Sequence, residues 1–232
     1  MTVFDCYPYW RERWAVEARL HLWATLAPDV DYRPVAFVGD RTHRGEPLGV
    51  SPFLLGHAHM RVTLDAPDDW GREEQQRDAV VEFAREHMAP DDLILLTDAD
   101  EIVDPRRLPD ILAATEHGPV KLAMGLWMCG TRWRNVRPWT HPAACRARDL
   151  PPFPSQNLRL SRRPVVPGAG WHLSYFGTDE DIDAKLRAFA HAECDTDENR
   201  AGLARLREHG DAERVDDPLT GPLADFLAGA HV

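Results

Sequence analysis

The residues Leu93 to Thr97 (LILLT) form a continuous apolar run, and Asp98, Asp100, Glu101 and Asp104 follow at once. A run this short and uniform reads as a strand buried on both faces, inside a sheet covered by helices. It predicts an α/β fold with the acids just beyond the strand's carboxyl end, where ligands bind in open sheets of this kind. Two aspartates one residue apart at such an end reach the same hard cation, so Asp98 and Asp100 are candidate ligands for Mn²⁺ or Mg²⁺. A metal held there would neutralise a diphosphate leaving group. The Asp-x-Asp triplet alone is weak evidence in this chain. Its 24 aspartates form five such triplets, and only this one follows a strand-like run.

The flanking sequence repeats the α/β rhythm. Tyr32 to Val38 and Met60 to Leu64 read as strands. Glu12 to Thr25 and Trp70 to Met88 read as helices, the second with Ala79, Val80, Phe83 and Ala84 as an apolar stripe. Asp104 and Pro105 predict an N-cap and first turn for a helix to about Glu116, stopped by His117-Gly118-Pro119. Strand and helix in alternation predict a Rossmann-like, mostly parallel sheet. Residues 120 to 178 are rich in Trp, Arg, Gly and Pro and predict short strands and long loops, irregular over Arg146 to Pro154. Helices are expected over Asp179 to Ala190 and Asp197 to Glu208. The whole reads as one domain over residues 1–232. A nucleotide-binding half occupies about 1–118, and a loop-rich acceptor half about 119–232.

Asp and Glu outnumber Lys and Arg by 38 to 27, a net charge of -11. That excess repels phosphate backbones and anionic lipid, so no nucleic-acid or membrane-surface partner is expected. It leaves small anionic ligands open, because they need only a local cluster. Cys6, Cys129, Cys145 and Cys194 form no CxxC pair and are expected as free thiols. The opening MTVFDCYPYW has no basic region before an apolar run, so no signal peptide is expected. The longest apolar runs fall far below the ~20 residues of a membrane span. A cytoplasmic protein is the expectation.

Two further segments carry possible chemistry. In residues 168 to 193, Gly168, Gly170 and Gly177 would let backbone approach a ligand, and Trp171, Tyr175 and Phe176 would stack on sugar or base rings. His172 is a candidate third metal ligand, with His191 a further possibility. Asp179, Glu180 and Asp181 open a helix, where carboxylates suit the dipole; one of them could instead be a general base. Residues 131 to 163 hold eight arginines against the single acid Asp149. Arginine suits bidentate phosphate contact, though a solvated basic face would look the same. Arg159 and Arg162 are the candidates for such a phosphate contact.

Taken in order, several segments resemble glycosyltransferase family seventeen, the family of the β-1,4-mannosyl-glycoprotein N-acetylglucosaminyltransferase. They are Phe4-Asp5-Cys6-Tyr7-Pro8, Glu17-x-Arg19-Leu20, Thr42-x-x-Gly45-x-Pro47, and the Trp70 helix with Gln76-Arg77. Thr97-Asp98-Ala99-Asp100-Glu101-Ile102, Gly170-Trp171-His172-x-Ser174, Glu180-x-Ile182 and Lys185-Leu186 complete the set. The resemblance implies a GT-A fold, Mn²⁺ (or Mg²⁺) on Asp98 and Asp100 with His172 as an extra ligand, and a UDP-sugar donor, foremost UDP-GlcNAc. It implies inversion, with Glu180 as base and Asp179 as its substitute. Gly170 and Trp171 would help enclose the donor. Val38, Asp40 and Leu48 depart from the family pattern, which leaves the exact donor open. A small metabolite, lipid-linked saccharide or peptide acceptor fits a chain of this type.

Two other readings compete. A strand followed by Asp-x-Asp also opens the haloacid-dehalogenase phosphatases, but there it lies on the first strand with Thr or Val four residues on, where this chain has Ile102. A non-catalytic nucleotide-sugar-binding protein is the third.

Overall fold

The computed structural model describes residues 1–49, 51–211 and 213–230. Four parallel strands form the first half of the sheet: β1 (Val3–Tyr9), β2 (Tyr32–Gly39), β3 (His59–Val62) and β4 (Leu93–Leu96). Their spatial order is β3-β2-β1-β4. Helix α1 (Arg13–Leu26) joins β1 to β2, and α2 (Asp69–Asp78) and α3 (Val80–His87) join β3 to β4. This is the Rossmann-like arrangement expected. The expected helix from Trp70 to Met88 divides at Ala79. Strand β1 escapes a sequence reading because Asp5 and Pro8 lie in it, and both residue types are rare in strands. Strand β4 behaves as its composition demands. Leu93 and Leu95 enter one core cluster with Val103, Ile111 and Leu122. Ile94 and Leu96 enter another, on the opposite face, with Phe4, Phe37 and Cys145.

The second half departs from expectation. Besides the expected short strands, β7 (Trp133–Asn135) and β8 (Ala143–Arg146), it carries two long ones, β6 (Val120–Met128) and β9 (Val165–Ser174); the short β5 (Glu101–Val103) precedes them. Strand β8 lies antiparallel to β4 and to β6, so one ten-stranded sheet runs through both halves to the edge strand β10 (Arg214–Asp216). Strand β9 pairs in parallel with β6 and antiparallel with β5. The sequence conceals β9 because Pro167, Gly168 and Gly170 look like loop residues. Gly170 has a packing reason instead: a Cβ there would run into the carbonyl oxygen of Ile102 across the β5–β9 ladder.

Helices complete the layers. Asp104 caps a 3₁₀ turn at Pro105–Arg107, accepting from the Arg106 amide at 3.0 Å, and α4 (Leu108–Thr115) continues from it. Helices α5 (Asp179–Ala188), α6 (Asp197–His209) and α7 (Pro222–Gly229) follow. Leu223 and Leu227 of α7 pack with Leu22 of α1 and Trp171 of β9. Among the described residues no helix is long and apolar enough to cross a membrane. All four cysteines are free thiols.

The Gly170→Ala variant should lose more than about 1 kcal/mol of stability, because its backbone and its neighbour leave no room for a side chain. The midpoint of urea unfolding measures this, and a midpoint equal to the parent's would show that β5 and β9 separate freely.

Candidate active site

The site begins with a buried ion pair. Arg19 on α1 and Asp5 on β1 have fully buried side chains in contact with each other. The Nη2 arm of the Arg19 guanidinium binds the turn after β4. It donates to the carbonyl oxygens of Asp98 at 2.6 Å, Ala99 at 3.2 Å and Glu101 at 2.6 Å. Thr97 and Tyr32 donate their hydroxyls to the Asp5 carboxylate at 2.9 and 2.7 Å. The turn from Thr97 to Glu101 is therefore held from beneath by the Arg19 Nη2 group and the Asp5 carboxylate. Its side chains at 98 and 100 are left to face outward.

They face a cavity of about 540 Å³ at the carboxyl ends of β1 and β4. Both carboxylates there meet cations. Arg77 of α2 and Arg159 grip Asp98, the latter at 2.9 Å. Lys185 of α5 donates to Asp100 at 2.7 Å, and the His172 Nε2 lies 3.5 Å from the same carboxylate. Burial opposes the charged form of each aspartate, yet the neighbouring cations prevail. Arg159 and Arg77 hold Asp98, and Lys185 and His172 hold Asp100, well below the ordinary carboxylate range. Burial likewise opposes the charged imidazole of His172, but Asp100 raises it above the usual histidine value. Glu101 stays below the surface, accepting from the Asp98 amide at 2.6 Å and from the Trp139 indole at 2.5 Å.

Strand alternation sorts the residues of β9. His172 and Ser174 point into the cavity, while Trp171 and Leu173 enter the core on the other face. Gly170 and Trp171, expected to enclose the donor, are thus packing residues. Arg159 lines the cavity, whereas Arg162 is exposed and takes no part in it.

The expected base is also displaced. Asp179 and Glu180 lie on the exposed first turn of α5, outside the cavity lining, and Asp179 pairs with Arg207 at 2.7 Å. Helix geometry explains this. The cap formed by Thr178 and Asp181 ties the first turn at the surface, and the face that reaches the cavity appears further along, at Lys185 and Ala188. Tyr175, at φ 52°, lines the cavity, and Phe176 instead packs on Trp14. His191 sits at the cavity mouth, edge-on to the half-exposed Trp70 at 4.5 Å.

Other residues in the cavity were not singled out by the sequence for a site role. Glu12 precedes α1 and anchors one oxygen on the amides of Trp10 and Arg11 at 3.3 and 3.1 Å. Its other oxygen faces Lys185 at 3.6 Å. His141 stacks on Trp139, and burial, then Arg159 and Lys121, push it down to about 4, so it is neutral at physiological pH. Arg77 and Lys185 look like ordinary charged helix residues, and only their place in the family pattern sets them apart.

The donor set suits a hard cation, with two carboxylates and an imidazole. His172 Nδ1 is buried without a hydrogen-bond partner, so one ring nitrogen stays uncommitted. Asp98, Asp100 and His172 nevertheless do not converge as three ligands. Among the described residues that closeness occurs only at His191, Glu193 and Cys194, on the surface, where acidic groups commonly gather without a metal. Compared with protein-family models and with curated proteins, the chain matches none.

Replacing Arg19 with Met leaves Asp5 buried and unpaired and should cost roughly 3–5 kcal/mol. The double variant Asp5→Leu, Arg19→Met should recover part of that loss in urea unfolding. A single variant as stable as the parent would mean that Asp5 is not held as a buried ion. Acid supplies a second test. A carboxyl held below its unfolded value adds stability above that value and loses it as the pH falls through the folded one. Asp98→Asn, Asp100→Asn should therefore lose less stability than the parent between about pH 5 and about pH 2.5. Equal acid slopes would contradict the ion pairing at both aspartates.

Proposed function

We propose that the cavity binds a nucleotide sugar, and that the protein is a metal-dependent inverting glycosyltransferase of GT-A type. Its donor on this reading is UDP-GlcNAc in the first instance, and its acceptor presents a hydroxyl. The observation that carries the reading is the pair Asp98 and Asp100. They project from a rigidly held turn at the carboxyl end of a buried strand into a cavity sized for a nucleotide sugar.

The surroundings suit that ligand. Arg77, Arg159 and Lys185 place three cations around the turn, matching a diphosphate. Trp10, Trp70 and Trp139 offer flat faces to rings. Asp100, with His172 Nε2 3.5 Å from it, would hold Mn²⁺ or Mg²⁺, which when bound neutralises charge on the departing diphosphate. Inversion needs a base on the acceptor hydroxyl. Glu12 takes that role here, because it faces the cavity with one oxygen anchored and the other directed inward, whereas Glu180 is outside. A phosphatase reading would make Asp98 a nucleophile, and a carboxylate clasped by two guanidiniums is poorly suited to attack.

A thermal-shift screen of UDP, GDP and TDP sugars, each with and without Mn²⁺, tests the reading. A donor at about 100 times its Kd adds ~2.7 kcal/mol, or roughly 5–10 °C for a chain of this size. The shift should require Mn²⁺ and vanish in Asp100→Ala. No shift with any sugar nucleotide would sink the proposal. For the base, Glu12→Gln should keep donor binding and lose transfer by about 10²-fold or more. Glu180→Gln should transfer at close to the parental rate, and the reverse pattern would return the role to Glu180.

A further inference from the structure

Lys185 sits where a cation shared with Asp100 would sit. Its ammonium lies 2.7 Å from Asp100 Oδ2 and 3.6 Å from Glu12 Oε1, and 4.8 Å from the centre of the Phe189 ring. Its side chain is only 13% exposed. Burial of this kind works against a bare ammonium, and Asp100 with Glu12 keeps it charged, above the ordinary lysine range. Each cation around the turn is balanced by two carboxylates: Arg77 by Asp98 and Glu73, Arg159 by Asp98 and Glu101, and Lys185 by Asp100 and Glu12.

That balance has a consequence for loading. A divalent ion binding Asp100 alone must displace the ammonium from its nearer carboxylate and leave it buried with Glu12, 3.6 Å away, as its remaining acidic partner, which is costly. A diphosphate arriving with the ion removes the penalty, because its oxygens accept the released ammonium and its charge offsets the metal's. Lysine suits such an exchange. It is a point charge on a flexible four-carbon stem, where the guanidiniums on Asp98 are planar and fixed.

We propose that Lys185 is the resident counter-ion of Asp100 and moves from Asp100 to the donor's diphosphate when metal and nucleotide enter together. Lys185 thereby makes metal binding conditional on the nucleotide. This rests on the cavity being a donor site. Linkage makes the effect reciprocal: the nucleotide tightens the metal by the same factor that the metal tightens the nucleotide.

The test measures Mn²⁺ binding by electron paramagnetic resonance, without activity. Three conditions are compared: Mn²⁺ alone, Mn²⁺ with saturating UDP, and Mn²⁺ with inorganic pyrophosphate. In the parent protein UDP and pyrophosphate should each tighten Mn²⁺ at least tenfold beyond their own binding of the ion. In Lys185→Gln, checked for folding by circular dichroism, Mn²⁺ alone should bind at least tenfold tighter than to the parent. The added effect of UDP should fall below threefold. Lys185→Arg should bind Mn²⁺ alone as weakly as the parent. The parent alone decides the matter if the variant fails to fold, since Mn²⁺ binding equally well with and without UDP overturns the proposal. So does a Lys185→Gln variant that binds UDP yet binds Mn²⁺ no better than the parent. So does UDP binding in the parent that is indifferent to EDTA, which would make Lys185 a permanent replacement for the metal. If UDP binds neither protein with or without Mn²⁺, the donor-site reading itself fails and this inference falls with it.

Discussion

The Arg19–Asp5 pair is the constraint on which the site depends. Neither side chain touches solvent, so each must find its partners inside the protein. Asp5 takes the guanidinium and two hydroxyls, and Arg19 takes three carbonyl oxygens of the turn after β4. The Asp98 carbonyl oxygen also accepts from the Glu101 amide at 3.0 Å. The pair therefore locks α1, β1, β2 and the Asp-x-Asp turn together, and the direction of Asp98 and Asp100 follows from that lock. A surface ion pair would not hold a turn this firmly, because water competes for each group.

Above the turn a second layer of charge forms. Helix α2 supplies Arg77, the segment before β9 supplies Arg159, and helix α5 supplies Lys185. Each reaches an aspartate from a different element, and the two carboxylates stay ionised at the floor of the cavity. The aromatic wall around them lowers the local polarity further and strengthens every one of these interactions. Such a floor is suited to trading counter-ions, since any newcomer must match charge as well as shape.

Several residues from widely separated segments meet at this one place. Asp5 and Arg19 hold the turn, Gln76 bonds the Phe37 carbonyl oxygen at 2.8 Å beside it, and Arg77, His172 and Lys185 contact the two aspartates. They are far apart in the chain, and their spacing carries no sign that they meet. Strand β4 was legible because burial on both faces leaves only apolar residues. Strand β9 was not, because its glycines answer to the close approach of Ile102, a neighbour supplied by another part of the chain. Glu180 was expected as base because it matches the acidic position of the resemblance, although an acid at a helix start is more often a cap. Only the position of the helix decides between them.

Local pattern alone determined an α/β chain with parallel strands in its first half and two acids at the end of a buried strand. Periodicity and strand-end chemistry are properties of short segments, so the sequence carries them complete. The tertiary structure decided which side chains share the cavity. It turned His172 inward and Trp171 outward, left Asp179, Glu180 and Arg162 at the surface, and brought Glu12, Arg77 and Lys185 to the aspartates. Which face of an element meets the cavity depends on how that element packs. Packing joins residues 173 positions apart at this site, as Glu12 and Lys185 are, and no local pattern encodes it.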